Sequence, residues 1–360
     1  MNTSDGHPAL IRLIRDEIES NGPQTFAWFM QQALYHPEHG YYSSGRCVIG
    51  RKGDYFTNVS VGPLFGQLLA LQFLEIWERL GKINDFVLVE QGAHDGQFAR
   101  DVLEFVQKQL PEFFEALRYR ILEPFPMLKE RQCRSLEVFG DKVEWRASPE
   151  PFTGLHFSNE LLDAMPVRLI SNGTERIVDL DEGKFVFIEQ SADETSFNQA
   201  ALESIDQIAA SLQRGYVVAI DYGSLDKQSE KKPQVRALHR NLDLPFEQIG
   251  EADITVSVDW RSIIDRAQAN GFGVAGFTDQ HRFLTGILSR FESSSFKPSV
   301  AVDSRKAKRE LQTLLHPEML GRAFQVLALA KNVDSKGSPL AGFKFARRLA
   351  EAAEDDKPFS

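Results

Sequence analysis

The segment Leu88–Leu103, LVEQGAHDGQFARDVL, joins an apolar run, two closely spaced glycines and a helical repeat. Glu90 lies at the end of the apolar run, and Gly92 and Gly96 follow it. A glycine turn between a strand and a helix lets a ligand approach the backbone and directs helix N–H groups toward it. The segment therefore predicts a strand, a turn and a helix, which either bind a nucleotide-like ligand or simply form a tight turn.

The alternation of strand-like and helix-like segments continues along the chain. Apolar stretches of strand length occur at about residues 86–90, 119–123, 142–145, 155–158, 215–221, 272–277 and 323–330, and helical repeats separate several of them. Alternating strands and helices indicate a parallel, doubly wound sheet. We therefore predict an α/β fold with a Rossmann-like, seven-stranded sheet of the class I methyltransferase type. The strand count alone is also compatible with a dehydrogenase sheet.

Other segments predict additions to this sheet. Residues 1–82 read as a helical N-terminal region packed on the core, and residues 83–335 as the core itself. At about residues 167–190, three extended runs separated by SNGT and DEGK predict an inserted antiparallel β element, because both separators are hairpin signals. Residues 336–360 read as a peripheral C-terminal tail.

Composition narrows the class of protein. The 360 residues carry a net charge of −10, which argues against broad nucleic-acid or anionic-membrane binding. The sequence shows no apolar run of the roughly 20 residues that span a bilayer and no secretory signal, so we expect a cytoplasmic protein. The two cysteines fit neither a disulfide framework nor a zinc site, and we expect no metal. The oligomeric state stays open between a monomer and a homodimer.

The glycine turn favours one kind of ligand. The order from Gly92 to Gly96 lacks the third glycine of a dinucleotide site, and Asp95 would repel a phosphate. An adenosyl ligand without phosphates fits better. Glu123 lies at the end of the next predicted strand, where a carboxylate can accept hydrogen bonds from both hydroxyls of a ribose.

The stretch SNELLDAMP places Asn159, Glu160 and Asp163 after the fourth predicted strand. Glu160 and Asp163 are three residues apart, so one helical turn would put both carboxylates on one side. Such a pair could hold a guanidinium or ammonium group and orient its nitrogen toward a methyl group. The alternative is structural, with Asn159 as an N-cap and the two acids favouring the start of a helix.

Two further features lie toward the C-terminal half. Asp221 and Tyr222 end the fifth predicted strand, on the same edge of the predicted sheet as Asn159 and Glu160. The polar segment 224–245 reads as a long loop, which in a compact domain usually indicates function or mobility, and His239 within it is a candidate lid residue.

Taken together, the segments GDYFTN, LFGQLLALQF, VEQGAHDGQFARDVL, ILEP, SNELLDAMPV, VVAIDYG, RALHRN, GEADITVSVDW and GFTDQHRFL resemble the MidA-like family of S-adenosylmethionine-dependent methyltransferases. That family includes a mitochondrial protein arginine methyltransferase. The resemblance covers most of the chain. It implies a seven-stranded methyltransferase core with a helical N-terminal region and an inserted β element.

The resemblance also implies roles for residues. Glu90, Gly92 and Gly96 would shape the S-adenosylmethionine pocket, and Glu123 would hold the ribose. Asn159 and Glu160 would face the sulfonium and the target. Together with Asp163, Glu160 would orient the acceptor, which the resemblance suggests is an arginine nitrogen of a protein substrate.

Two departures from the family pattern motivate an alternative. The family's ELGPGRG is EQGAHDG here, with His94 and Asp95 in place of the central glycine and the arginine. The family's TSPE is TNVS at residues 57–60. The leading hypothesis is a methyltransferase. The alternative is a catalytically reduced protein that keeps the fold and acts as an assembly or binding factor. A nucleotide-dependent dehydrogenase is disfavoured by Asp95 and the missing glycine.

Overall fold

The structure is a computed structural model that describes residues 6–45, 57–192, 197–225, 233–237, 240–242, 244–292, 304–316, 320–333 and 338–347. The α-helices are α1 Pro8–Asn21, α2 Phe26–Tyr35, α3 Asn58–Val61, α4 Leu64–Arg79, α5 Gln97–Gln109, α6 Pro111–Ala116, α7 Pro126–Leu136, α8 Gln199–Ser211, α9 Trp260–Ala269, α10 Gln280–Glu292 and α11 Arg305–Leu315. Two 3₁₀ segments span Glu137–Lys142 and Ala341–Phe343. No helix among these described residues is long and apolar enough to cross a membrane.

The strands are β1 Gln24–Thr25, β2 Phe86–Gln91, β3 Leu117–Leu122, β4 Val143–Arg146, β5 Phe152–Asn159, β6 Leu169–Ser171, β7 Thr174–Asp181, β8 Lys184–Ser191, β9 Leu212–Ser224, β10 Gln234–Ala237, β11 Arg240–Leu242, β12 Asp253–Thr255, β13 Val258–Asp259, β14 Gly273–Asp279 and β15 Phe324–Lys331. The chain divides into two compact units. One lies within Met1–Phe56, Leu162–Ser204 and Gln228–Ser257, and the other within Thr57–Leu161, Ile205–Lys227 and Val258–Ser360.

The second unit contains the main sheet. Its strand order is β14-β15-β9-β5-β2-β3-β4, and β13 pairs with the end of β9. The strands from β9 to β4 run parallel to one another, whereas β15 runs antiparallel to β9 and β14. All seven predicted sheet strands form, and the predicted Rossmann-like methyltransferase sheet is confirmed. The reversed direction of β15 was not expected from the alternation of strands and helices.

Helix α4 belongs to this sheet unit. Nearly all of its residues are buried, as the apolar residues around most of its surface predict. The ring of Phe73 lies 5.4 Å from that of Phe157 in β5, and the ring of Phe65 lies 5.7 Å from that of Phe98 in α5. The boundary expected at residue 82 therefore does not coincide with the compact units, because α4 packs on the sheet.

The described part of the expected C-terminal tail is also packed. Leu340 and Phe343 are buried. The backbone N–H groups of Ala341 and Gly342 donate to side chains of α4, and Arg79 donates to the carbonyls of residues 338 and 339. The description of this segment as peripheral is therefore corrected for residues 338–343, because α4 supplies buried hydrogen-bond partners for its backbone.

The first unit contains α1, α2 and two small sheets. Strands β6, β7 and β8 form the predicted antiparallel meander, and β1 pairs with β7. Its two-residue turns, Asn172-Gly173 and Glu182-Gly183, have positive φ throughout, as tight hairpins require. Apolar residues of both helices and of the meander share one core, which explains why these distant segments fold together.

The long polar segment 224–245 is not wholly a loop. Strand β10 pairs with β11 and β12 in an antiparallel sheet. Val235 of β10 is buried and belongs to the core of the first unit. His239, the candidate lid residue, lies outside the described residues.

Candidate active site

The predicted site residues of the sheet unit lie at the carboxyl edge of the parallel strands. In the sheet register, Gln91 of β2 pairs with Leu122 of β3 and with Ser158 of β5, while Asn159 of β5 pairs with Ile220 of β9. The strands therefore end at similar heights. This edge, on which open α/β sheets bind ligands, carries Glu90, Glu123, Glu160 and Asp221.

Glu90 is buried near the end of β2, with 4% of its surface exposed. Burial raises its pKa to about 8, although the hydrogen bond from the Tyr119 hydroxyl at 2.7 Å acts in the opposite direction. The nearby charge of Asp95 adds to the increase. At neutral pH the Glu90 carboxyl is therefore largely protonated, and a cation placed beside it would favour its ionised form.

The glycine turn has positive φ at three positions, one of which is His94, a departure from the family pattern. Gly92 and Gly96 have φ of 84° and 82°, and His94 adopts a left-handed φ of 48° between them. The Gly96 N–H donates to the carbonyl of Ala93 at 2.8 Å. The carbonyl of His94 accepts a hydrogen bond from the Gln132 side chain at 2.9 Å. The histidine thus takes a conformation that usually favours glycine, and a bond from α7 stabilises it there.

Asp95 lies at the start of α5 and accepts a hydrogen bond from the backbone N–H of Gln97 at 3.1 Å. Burial would raise the pKa of Asp95, but hydrogen bonding and charge from His94, together with backbone N–H groups, lower it overall. An ionised carboxylate therefore occupies the helix start where a dinucleotide would place its pyrophosphate. This arrangement agrees with the predicted preference for a ligand without phosphates.

Glu123 directly follows β3 and is buried. One carboxylate oxygen accepts from the Phe125 N–H and the other from Gln132 Nε2, both at 2.9 Å. Burial raises the pKa of Glu123, and these hydrogen bonds only partly offset it. The carboxylate is held in one orientation, and each oxygen keeps a second lone pair for a ribose hydroxyl.

Gln132 is a residue that the sequence analysis missed. Its side chain is fully buried, donates to both His94 and Glu123, and accepts from the indole N–H of Trp145 at 3.0 Å. It therefore links the glycine turn, the predicted ribose carboxylate and β4. A glutamine within an amphipathic helix carries no motif, so no sequence signal could have identified it.

Asn159 ends β5 and Glu160 follows it, but the chain does not form the predicted helical turn. Glu160 has a left-handed φ of 53°, and its N–H donates to the carbonyl of Ile220 at 2.9 Å. The Glu160 carboxylate accepts from Asn159 Nδ2 at 2.9 Å and from the backbone N–H of Asn58 at 3.2 Å. The helical pairing of Glu160 with Asp163 is therefore corrected, because the backbone turns at Glu160 instead of starting a helix.

Asp163 belongs to the other compact unit. It is buried, and its carbonyl accepts a hydrogen bond from the N–H of Val256 at 2.8 Å. Its predicted role with the acceptor stays a prediction.

Asp221, buried near the end of β9, accepts hydrogen bonds from the backbone N–H groups of Leu161 and Tyr222. Asp221 therefore fixes the backbone next to Glu160.

The chemistry of these side chains fits a cationic adenosyl ligand. Glu123 is a hydrogen-bond acceptor suited to a ribose, and the turn from Gly92 to Gly96 contains Asp95 but no lysine or arginine. Carboxylates near the strand ends favour a ligand that carries positive charge. Among the described residues, no group of three or more His, Cys, Asp or Glu side chains could hold a metal ion.

Known proteins are similar to the chain over nearly its whole length. A mitochondrial protein arginine methyltransferase NDUFAF7 homolog of Drosophila melanogaster is 26% identical over 94% of this chain and 89% of its own. The mitochondrial protein arginine methyltransferase NDUFAF7 of Homo sapiens is 26% identical over 98% of this chain and 88% of its own. A Burkholderia thailandensis protein bound to S-adenosyl-homocysteine has a TM-score of 0.83 and 28% identity, over 95% of this chain and 96% of that one.

These relatives correct one expectation from the sequence. The chain was expected to be cytoplasmic, since it shows neither a membrane span nor a secretory signal. The relatives named above from Drosophila melanogaster and Homo sapiens are mitochondrial proteins, and so is the one from Xenopus tropicalis. The expectation of a cytoplasmic location is therefore wrong by this comparison.

A family model described as an S-adenosyl-L-methionine-dependent methyltransferase matches residues 68–201 and 188–278. The match runs from α4, which precedes the first strand of the sheet, to β14 at the far edge. It therefore includes the glycine turn and the ends of β2, β3, β5 and β9. Because this match covers more than half of the chain and agrees with the observed strand order, the chain belongs to the S-adenosyl-L-methionine-dependent methyltransferase family that the MidA-like resemblance indicated.

Proposed function

We propose that this methyltransferase transfers the methyl group of S-adenosylmethionine to a nitrogen of a protein arginine side chain. The relatives from Drosophila melanogaster and Homo sapiens, which are named protein arginine methyltransferases, support the choice of acceptor. The observation that carries the proposal is the Glu160 carboxylate at the strand-end edge. Its Oε1 accepts hydrogen bonds from the Asn58 backbone N–H and from Asn159 Nδ2, and these hold the carboxylate in place.

The cofactor supplies an electrophilic methyl group on a positive sulfonium. Because that leaving group is already good, the protein contributes mainly through positioning and electrostatics. In this proposal Gly92 and Gly96 keep the turn free of side chains beside the ligand. Glu123 accepts hydrogen bonds from the ribose hydroxyls. Glu90 lies beside the positive part of the cofactor.

Asn159 and Glu160 act at the transfer step. Asn159 contacts the cofactor near the sulfonium, and the Glu160 carboxylate holds the guanidinium of the incoming arginine. An ionised carboxylate forms strong, directional hydrogen bonds with a guanidinium. It would thereby fix the plane of the guanidinium and orient one of its nitrogens for the methyl transfer that the cofactor supplies. The proton that the nitrogen loses after transfer passes to solvent or to Glu160.

The charge of the chain supports a protein acceptor with a basic segment. A net charge of −10 favours approach of positively charged partners and disfavours nucleic acid. An arginine within a basic stretch would therefore meet an attractive field as well as the Glu160 carboxylate.

The test combines binding with product analysis. We expect S-adenosylmethionine to bind in calorimetric titration and Glu123→Ala to weaken that binding. The protein is then incubated with methyl-labelled S-adenosylmethionine and a protein extract from cells that lack its gene. Acid hydrolysis and amino-acid analysis should show label in methylarginine with the parent and none with Glu160→Gln.

Two results would contradict the proposal. Label in methyllysine or methylhistidine would retain the methyl transfer but exclude arginine as the acceptor. Equal labelling by the parent and by Glu160→Gln would exclude the role of Glu160. Exposed Glu115→Gln is the matched control, because it removes a carboxylate of the same unit at a solvent-facing position.

A further inference from the structure

Three amide side chains form a continuous series of hydrogen bonds that ends at Glu160. Gln280 Nε2 donates to Asn58 Oδ1 at 2.9 Å, and Asn58 Nδ2 donates to Asn159 Oδ1 at 3.1 Å. Asn159 Nδ2 then donates to Glu160 Oε1 at 2.9 Å. Gln280 and Asn58 are fully buried. We call this series the amide relay.

The direction of the amide relay is fixed at both ends. At one end Gln280 Nε2 also donates to the carbonyl of Leu314 at 3.2 Å, and a carbonyl can only accept. At the other end Asn159 Nδ2 donates to Glu160 Oε1, and a carboxylate oxygen accepts. Every amide in between must therefore present its oxygen toward Gln280 and its nitrogen toward Glu160.

The orientation of Gln280 has a cost. Its Oε1 is buried and has no hydrogen-bond partner within the part of the chain that the structure describes. Rotation of the amide would bring this oxygen against the carbonyl of Leu314 and against Asn58 Oδ1, both of which are acceptors. Gln280 therefore keeps the orientation in which Nε2 donates to both acceptors, although Oε1 then has no partner among the described residues. A buried acceptor without a hydrogen bond normally destabilises a fold.

The backbone around the relay is held as well. Thr57 and Ser60 form reciprocal hydrogen bonds at the start of α3, which fix Asn58 between them. The Asn58 N–H consequently points at Glu160 Oε1, at 3.2 Å. The segment that departs from the family's TSPE therefore supplies both a backbone and a side-chain contact to the cluster around Glu160.

We propose that Asn58 and Gln280 are positioning residues for methyl transfer, which act through Asn159 to hold the Glu160 carboxylate in one orientation toward the sulfonium. This inference rests on the proposed role of Glu160. Neither residue touches the cofactor or the acceptor in this proposal. Their effect on the preference for a charged ligand over a neutral one passes through the Glu160 carboxylate.

A pair of ligands tests the relay without knowledge of the acceptor. S-adenosylmethionine carries a positive sulfonium, whereas S-adenosylhomocysteine has a neutral thioether at the same place and is otherwise identical. An ionised carboxylate oriented toward the sulfonium favours the first ligand only. The change in the ratio of the two dissociation constants on Glu160→Gln therefore measures the electrostatic contribution of Glu160, because the contributions of the ribose, the adenine and Glu90 are common to both proteins.

The experiment is calorimetric titration of both ligands into the parent, Glu160→Gln, Asn58→Leu and Gln280→Met. We expect Glu160→Gln to weaken S-adenosylmethionine about tenfold, ~1.4 kcal/mol, as for loss of one charge-assisted hydrogen bond, and to leave S-adenosylhomocysteine within about twofold. Asn58→Leu and Gln280→Met should change the ratio in the same direction, by about threefold or more. Both replacements approximate the shape of the amide that they remove.

A double-mutant cycle separates positioning from a general loss of structure. In the Glu160→Gln background, Asn58→Leu should leave the ratio unchanged, because the carboxylate through which it acts is gone. Gln268→Met, at an exposed position on α9, is the matched control and should change neither dissociation constant. Gln280→Met provides the second variant if Asn58→Leu does not fold.

Three outcomes would overturn the inference. If Asn58→Leu and Gln280→Met weaken both ligands equally, the relay supports the fold but does not act on the sulfonium. If they change the ratio even in the Glu160→Gln background, they act by another route. If Glu160→Gln itself leaves the ratio unchanged, Glu160 does not act on the sulfonium and the relay inference fails, whereas the role of Glu160 toward the acceptor guanidinium is decided separately by the labelling experiment.

Discussion

Removal of the Glu90 carboxyl should change how stability depends on pH. The pKa of Glu90 is raised from 4.5 to about 8 by burial. Between these values the unfolded chain loses the proton whereas the folded chain keeps it, so the unfolded state is favoured as pH rises. Glu90 therefore destabilises the fold progressively above its unfolded pKa, and this effect levels off above its folded pKa. Glu90→Gln, which cannot ionise, abolishes the effect.

The size of the change follows from the two pKa values. Each pKa unit corresponds to about 1.36 kcal/mol, and linkage gives a cost from Glu90 of ~1 kcal/mol at about pH 5 and ~4 kcal/mol at about pH 7.5. The free energy of unfolding of Glu90→Gln relative to the parent should therefore rise by about 3 kcal/mol between these two pH values. A glutamine can still accept the hydrogen bond from the Tyr119 hydroxyl.

Urea denaturation followed by circular dichroism, performed for both proteins at the two pH values, measures this difference. Glu115→Gln, at an exposed position of the same unit, is the control for loss of a carboxylate at the surface. If the difference between Glu90→Gln and the parent is the same at both pH values, Glu90 is already ionised in the folded protein. The argument from burial would then be refuted.

Three more predictions concern the cofactor turn. Binding of S-adenosylmethionine at about pH 7 should release most of one proton, because a cation beside Glu90 lowers the pKa of Glu90 from about 8. Calorimetry in buffers of different ionisation enthalpy measures this release. A binding enthalpy that does not depend on the buffer would contradict the prediction. Gln132→Leu should weaken S-adenosylmethionine and S-adenosylhomocysteine equally, by about tenfold, since Gln132 orients the carboxylate of Glu123 that both ligands share. In thermal unfolding, His94→Val should be less stable than His94→Gly by about 2 kcal/mol, because a β-branched residue opposes the left-handed φ of 48°. Equal stability of the two variants would show that the turn imposes no such strain.

The sequence by itself determined the elements of the fold. Strands buried on both faces are apolar at nearly every position, so β2 and β9 contain nearly continuous apolar runs that can be recognised locally. The turns of the meander can also be recognised locally. Both have glycine at the second position and the first has asparagine before it, and these residues tolerate positive φ. The glycine turn after β2 and the polar residues at the strand ends follow from the same alternation, which is why Glu90, Glu123 and Glu160 could be selected before the structure was considered.

Only the tertiary structure decided which residues surround those carboxylates. The Asn58 N–H meets Glu160 from 102 residues away, and Gln280 reaches Asn58 from 222 residues away. Gln132 connects two predicted site residues without belonging to any motif. A local pattern records burial and backbone conformation, since both act within a few residues. A hydrogen bond between distant side chains depends instead on strand order and on the direction of each strand, and the sequence pattern does not contain these.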